Sequence, residues 1–502
     1  MIAESNGLQV LATLSLLAVG GLTYCIVQGD VPSRERGVSL TVHCAAGIKA
    51  PVVAIAKRYE EEFDTPIRLT FGGSGSLLSG LTVKANGDIY IAGDGSYVDT
   101  ARARGLVDEV LTIAEMRPVI AVQPDNPEKI RNLQDLLREG VKYALGNPDA
   151  AAVGEIVKAT AGRLGIWKEL ESRAAVFKPT VNDLANDLRL GTVDAAVIWD
   201  ATARQHGLTI VNDAALAQSP RQVTLGVLHC TAYPRAALHF ARYLTAQDRG
   251  LPAFAKAGFT PMDGDPWVDV PRLLLMSGAM LRPAIEKTLS EFEDREGIII
   301  ERVYNGCGIL VSQMRTGVLP DAYFACDQTF LDQVEDRFET GTPFSTNDIV
   351  LVTPPGNPRG LHKLSDLLGE GLRIGIGHPE KSALGALTST MMTRQGLAER
   401  LRASGNIAVE SPTGDMLVNQ LRAGSLDAIL VYRSNAAHVA EHVATQTLAG
   451  VDGALAVQPY AVARTSAHKQ LMGRLRARLG TAVSADRFKS LGFSWQGGTV
   501  PR

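Results

Sequence analysis

The chain repeats itself, and the length of the repeat decides what it can fold into. Asp88-Ile89-Tyr90-Ile91-Ala92-Gly93-Asp94 returns as Asp321-Ala322-Tyr323-Phe324-Ala325-Cys326-Asp327, a spacing of 233 positions (321 less 88). Val193 to Trp199 returns as Leu426 to Tyr432, and Asp194 stands the same distance from Asp427. Between these, Gly72-Gly73-Ser74-Gly75 is answered by Asn305-Gly306-Cys307-Gly308, and Gly146-Asn147-Pro148 with Gly154 by Gly377-His378-Pro379 with Gly385. Even the tails agree, Gly258-Phe259-Thr260 against Gly492-Phe493-Ser494. Solenoid and propeller units repeat every ~20–50 residues, so this period marks a duplicated domain. The join falls near Met262-Asp263-Gly264-Asp265-Pro266. That divides the chain into an apolar leader and linker (1–37), a first domain (38–264) and a second (265–502).

Within each half, strand-like and helix-like stretches alternate, the pattern of parallel α/β sheets. In the first half Val38 to Cys44 reads as a strand and Pro51 to Phe63 as a helix, Pro51 suiting a first turn where its missing N–H costs nothing. Strands follow at Pro66–Phe71, Asp88–Asp94 and Val119–Val122, then a helix at Leu133–Arg138. A helix opening from Ala150-Ala151-Ala152 and another from Val181 to Leu190 precede the buried strand Val193–Trp199.

The turn Gly72-Gly73-Ser74-Gly75 carries the first chemical signal. It joins a strand to a helix, so unpaired backbone N–H groups meet the positive end of a helix dipole, a setting that favours an anion. Ser74 adds a hydroxyl without a charge. An ordinary βα turn with glycines for tight geometry is the plainer reading, and the second copy at Asn305 to Gly308 weighs against it.

Other chemistries find little support. With a net charge of −3 and no basic tract interleaved with aromatics, the chain does not present itself to nucleic acid. Five cysteines (Cys25, Cys44, Cys230, Cys307, Cys326) and nine scattered histidines form no CxxC or HExxH spacing, so no metal or other cofactor is expected. Only their positions within each half would pair Cys44 with Cys230, or Cys307 with Cys326. Asp88, Asp94, Asp321 and Asp327 sit at strand ends, where such residues cap helices and order turns more often than they catalyse. Asp200 and Arg433 differ in charge at matching positions. No Ser/His/Asp set or carboxylate dyad is visible, so no catalytic residue is named and an enzyme is not expected. Leu8 to Val27 is an apolar run of nearly bilayer length. Its flanks fit a signal peptide poorly, since no Lys or Arg precedes it, and Tyr24 before Cys25 spoils a lipoprotein cleavage box. An uncleaved anchor is expected.

The ordered markers Cys44-Ala45-Ala46-Gly47, Gly72 to Gly75, Gly146-Asn147-Pro148, Lys178-Pro179-Thr180-Val181-Asn182 and Asp194 to Asp200 give a family resemblance. Each half resembles the periplasmic binding proteins of molybdate and tungstate transporters, which have the type II solute-binding fold. The likeness covers Val38–Met262 and, more weakly, Pro271–Gly497. It implies an α/β fold of two tandem type II periplasmic-binding-protein-like domains, each of two α/β lobes joined by a hinge. The crossings between lobes are expected near Arg117–Val122 and Val223–His229. It also implies an extracytoplasmic protein that hands an oxyanion to an ABC transporter permease, and the apolar run Leu8 to Val27 adds the expectation of a membrane tether. Sulfate or phosphate binding is the nearer alternative, and an anchored sensing module reporting to a separate partner the more distant one.

The resemblance further implies a ligand held by hydroxyls and backbone N–H groups. The residues matching those positions are Ala46, Gly47, Gly73, Ser74, Ala152, Val153, Thr180, Val181 and Trp199. Gly47 falls where the family commonly carries a first serine, and Trp199 where many members carry a tyrosine. Thr180 is a candidate to restore the lost hydroxyl, and a donor-only indole suits a fully deprotonated anion. Lys49 reads as a solvated helix-start lysine. The second-half equivalents are Ser277, Ala279, Cys307, Thr413 and Tyr432. With Cys307 in place of Ser74, and Glu380-Lys381-Ser382 in place of the alanines, that half is expected to be degenerate or to select another ligand.

Overall fold

The computed structural model describes residues 37–497 apart from 219, 449 and 452. The apolar run Leu8 to Val27 lies outside the described residues, and among those described no helix is long and apolar enough to cross a membrane.

The first half builds two sheets. The first runs, edge to edge, Thr260–Pro261, Val107–Met116, Arg221–Leu228, Ile89–Ala92, Leu40–Ala45, Ile67–Gly72. Its last three strands are mutually parallel, as βα alternation requires, while Arg221–Leu228 returns antiparallel. The second runs Val176–Lys178, Tyr143–Gly146, Ala195–Trp199, Pro118–Val122, Thr209–Val211. Each sheet is the centre of one lobe. The chain crosses once at Arg117, between Val107–Met116 and Pro118–Val122, as expected. It crosses back between Thr209–Val211 and Arg221–Leu228, ahead of the expected Val223–His229, which falls largely inside a strand of the first lobe.

The second half differs at the crossing. There Thr342–Thr353 is one continuous strand, pairing with Leu455–Val462 in one lobe and Ala428–Tyr432 in the other, so both lobes share one ten-stranded sheet. One residue differs at this place. Pro118 faces Trp199, and Ile349 faces Tyr432 at the matching place. Proline has no N–H to give the ladder, whereas Ile349 donates to the Ala454 carbonyl at 2.8 Å.

Local rules recur in register. Helix Lys49–Phe63 buries Val52, Ile55, Ala56 and Tyr59, one stripe at helical spacing. It stops at Asp64 in the left-handed region, and its copy Arg282–Glu296 stops the same way at Gly297. Glu60 then accepts the N–H of Ile67, and Glu293 that of Ile300, each at 2.6 Å, locking helix to following strand. The strand-end aspartates are structural: Asp88 accepts from Thr41 N–H and Asp321 from Leu274 N–H, while Asp94 and Asp327 cap the helices that follow them. Leu133–Leu137 is a 3₁₀ segment, not the α-helix expected over Leu133–Arg138.

The halves meet through helix Pro234–Thr245 of the first and helices Arg282–Glu296 and Lys469–Leu479 of the second. Glu296, 1% exposed, is held from one side by Arg242 at 3.1 Å and from the other by Arg474 at 2.6 Å. Nearby, Arg295 pairs with Asp108 at 2.9 Å and also with Glu109. Asp265 joins in by accepting the N–H groups of Gln470 and Leu471.

Candidate functional site

Between the first-half lobes, four helix starts converge on one cleft: the 3₁₀ turn Ala46–Ile48 and helices Ser74–Val83, Ala152–Arg163 and Val181–Arg189. The opening N–H groups of a helix have no intrahelical acceptor, and the starts at Ser74 and Ala152 have no side-chain cap. The starts of these helices therefore face a shared space, a setting whose backbone dipoles favour negative charge. Among the described residues its lining has no charged side chain.

Ser74 is 3% exposed and accepts the Gly93 N–H on Oγ at 3.1 Å. That bond occupies a lone pair and leaves the hydroxyl proton for a ligand. Trp199 ends a fully buried strand, and its Nε1 and Ser74 Oγ lie 3.8 and 3.7 Å from the point where a β-carbon on Gly93 would stand. Both donors therefore border the same small volume.

Of the residues singled out from sequence, Ala46, Gly47, Gly73, Ser74, Ala152, Thr180, Val181 and Trp199 line this cleft. Val153 does not, because its side chain packs towards Gly146, whose β-carbon would meet Val153 Cγ1 at 2.9 Å. The Thr180 hydroxyl is committed elsewhere. It donates to Asp183 Oδ2 at 2.6 Å and accepts the Asp183 N–H, capping its own helix, so it does not replace the missing serine. Lys49 stays outside the lining with its ammonium over the Phe71 ring, 5.2 Å from the centroid.

Sequence reasoning missed Thr202. It is 0% exposed, its Oγ1 has no hydrogen-bond partner, and it lies 3.6 Å from where a β-carbon on Gly47 would stand. It is the hydroxyl nearest the β-carbon position of Gly47 among the contacts described there. The signal available was its position three residues beyond Trp199, matched by the small polar Asn435 beyond Tyr432.

The lobes are closed on each other. Gly75 N–H donates to the Ala150 carbonyl at 3.1 Å, Asn182 Nδ2 to the Ala46 carbonyl at 2.8 Å, and the Tyr97 hydroxyl to Glu155 at 2.9 Å, all from one lobe to the other.

The second half forms the equivalent cleft from Ala279, Cys307, Thr413 and Tyr432, while Ser277 is buried in its strand and bonds the Gly278 carbonyl. Here Cys307 Sγ accepts the Cys326 N–H at 3.2 Å, reproducing the Ser74–Gly93 bond with sulfur. Burial raises the Cys307 thiol's pKa. The neighbouring Cys326 and Tyr323 outweigh that and bring it below the ordinary thiol value. Cys44, Cys230, Cys307 and Cys326 are all free thiols, so neither positional pairing is formed. Among the described residues no group of three or more His, Cys, Asp or Glu could hold a metal ion.

Two α/β lobes shut over a cleft of neutral donors define a solute-binding protein, here built twice in one chain. The chain belongs to the bacterial extracellular solute-binding protein family, whose profile matches residues 40–260 and, a second time, 273–494. A binding protein of Haemophilus influenzae is 28% identical over 231 residues, 45% of this chain and 92% of its own. The molybdate-binding protein ModA of Mycobacterium tuberculosis is 25% identical over 245 residues, 46% of this chain and 90% of its own. Among solved structures, the periplasmic molybdate-binding protein of Azotobacter vinelandii matches with a TM-score of 0.40 at 16% identity, covering 45% of this chain and 100% of that one.

Proposed function

We propose that the first half captures a fully deprotonated tetrahedral oxyanion, molybdate or tungstate, outside the cytoplasm and delivers it to an ABC transporter permease. The observation that carries this reading is a cleft lined by donors and by no charged side chain among the described residues. Such a lining neutralises an anion by many oriented dipoles, and it offers no carboxylate that would repel one. Trp199 donates and cannot accept, so a ligand that keeps a proton at neutral pH, as phosphate does, leaves that proton without an acceptor at the indole. The relatives that bind molybdate support the choice of ion. Tethering to the membrane through the leader belongs to the same proposal.

The mechanism is capture by closure. An open cleft admits the hydrated anion, and the lobes rotate about the two crossings. The helix starts, Ser74, Thr202 and Trp199 then replace its water. Calorimetry on the chain from residue 37 with molybdate, tungstate, sulfate and phosphate tests this. Molybdate and tungstate are expected to bind, with phosphate weak or silent. Ser74→Ala and Thr202→Val should each weaken molybdate by about 1.5–3 kcal/mol, the worth of a hydrogen bond to a charged group. Tighter binding of sulfate or phosphate than of molybdate would refute the ligand assignment.

A further inference from the structure

The second cleft keeps the closing apparatus of the first and changes its chemistry. A β-carbon on Gly306 would collide with the carbonyl oxygens of Lys381 and Pro412, and one on Gly308 with that of Glu380, so the two lobes touch backbone to backbone as in the first half. The lining, by contrast, turns from hydroxyl and indole to sulfur. Where the first cleft has Gly47, Ser74 and Gly93, the second has Met280, Cys307 and Cys326. The two thiols are neighbours: the point where a β-carbon on Gly278 would stand lies 3.2 Å from Cys307 Sγ and closer still to Cys326 Sγ.

Two unpartnered polar atoms accompany them. Tyr432 lines the cleft, is 2% exposed, and its hydroxyl has no hydrogen-bond partner. Asn435 is also 2% exposed, and its Oδ1 has no partner. Its Nδ2 is tied to Asp415 at 2.8 Å, which fixes the amide and directs Oδ1 onto Gly414 at the cleft wall. An amide oxygen only accepts, and a phenol both accepts and donates. Asn435 Oδ1 asks for a ligand that carries its own O–H, and the Tyr432 phenol can serve the same ligand. A fully deprotonated tetrahedral oxyanion has none, and neither has a bare soft cation.

We propose that the second cleft binds a neutral, hydroxylated acid of a thiophilic element, of the class of trivalent arsenous acid, through Cys307 and Cys326. Arsenous acid has three As–OH groups. Each thiol gives up its proton to one departing hydroxyl. Two S–H and two As–O bonds break, two As–S bonds form, and two waters leave. Arsenic remains trivalent, so no oxidant or reductant is needed. The remaining As–OH donates to Asn435 Oδ1 or meets the Tyr432 hydroxyl. The site concerns the second half alone and stands whatever the first cleft binds.

The test is equilibrium dialysis of the full chain, kept reduced, against sodium arsenite, with bound arsenic measured by elemental analysis. One arsenic per chain is expected, lost in Cys307→Ser and in Cys326→Ser and kept in Cys44→Ser and Cys230→Ser. Serine at 307 repeats what the first half already folds with at Ser74, so that variant reports chemistry more than folding. Tyr432→Phe should keep the stoichiometry and weaken binding about tenfold. No uptake by the reduced chain would overturn the proposal. So would uptake of silver(I) by the same two thiols without arsenite, or arsenite binding that survives both cysteine changes. A Cys307–Cys326 disulfide that re-forms and blocks uptake under reducing conditions would overturn it as well.

Discussion

Gly47 and Val181 are fitted to each other: a β-carbon on Gly47 would stand 2.8 Å from Val181 Cγ2, inside any ordinary carbon contact. The two residues come from different lobes, so the close fit forms only when the cleft is shut. It also explains why this chain lacks a hydroxyl at 47, since Val181 occupies the volume a side chain there would need. The buried Thr202 hydroxyl, 3.6 Å from the same point, stands where it can serve instead.

The fit can be measured as a coupling. Gly47→Ala should destabilise the closed first half by about 1–3 kcal/mol, the usual cost of overpacking. In a Val181→Ala background most of that cost should vanish, because the opposing methyl is gone. Molybdate affinities of the four proteins close the double-mutant cycle. Additive losses would mean that the two positions do not meet.

Closure itself rests on glycine at 73. A β-carbon there would stand 2.5 Å from the Pro179 carbonyl oxygen and collide with that of Ala150, both belonging to the opposite lobe. Gly73→Ala should therefore hold the lobes apart and weaken molybdate at least about tenfold, or about 1.4 kcal/mol. Each lobe should stay folded by circular dichroism. Gly80 lies in the helix that follows, and nothing lies within 4 Å of its own β-carbon position. Gly80→Ala is the control, expected to leave affinity unchanged. Small-angle scattering with saturating molybdate should show compaction of the Gly80 variant and none of the Gly73 variant.

What the sequence disclosed, and what it hid, follows from how local each constraint is. The duplication was legible because turns place backbone demands on single residues, and Gly73, Gly146, Asp88 and Asp94 recur with their partners in register. The helix start at Ser74 was legible for the same reason. Thr202 was not, since only the fold brings it beside Gly47, more than 150 positions away in the chain. The Thr180 hydroxyl misled because a helix-start threonine serves a cap as readily as a ligand, and Asp183 three residues on claimed it. Val153 stands in the first turn of its helix with its side chain turned into the lobe, so only its backbone is placed to face the cleft. Cys326 gave no sign of its part in the second cleft, as its counterpart Gly93 contributes a backbone N–H and no side chain. The merged sheet of the second half was not legible, although Ile349 in place of Pro118 supplies an N–H at the crossing that proline lacks.

The last prediction concerns the join between the halves, where Arg242 from the first and Arg474 from the second grip the buried Glu296. Burial opposes the charge on Glu296, but Arg474 and then Arg242 outweigh it by attraction and hydrogen bonding, and its pKa falls below the usual 4.5. A group with a depressed folded pKa contributes stability above its unfolded pKa and loses it as pH falls through the folded one. The chain should thus hold its stability from neutral pH down to about 4.5, then lose this contribution below it. Glu296→Gln leaves two buried guanidinium groups facing a neutral amide, which should cost about 3–5 kcal/mol at neutral pH. The gap between wild type and variant should narrow as pH drops below about 4.5, because protonation makes the wild type resemble the variant. Urea midpoints across that range read the effect, and a gap that stays constant with pH would show that Glu296 is not the titrating group. Molybdate affinity should hold in both proteins at neutral pH, since the first cleft lies away from this join.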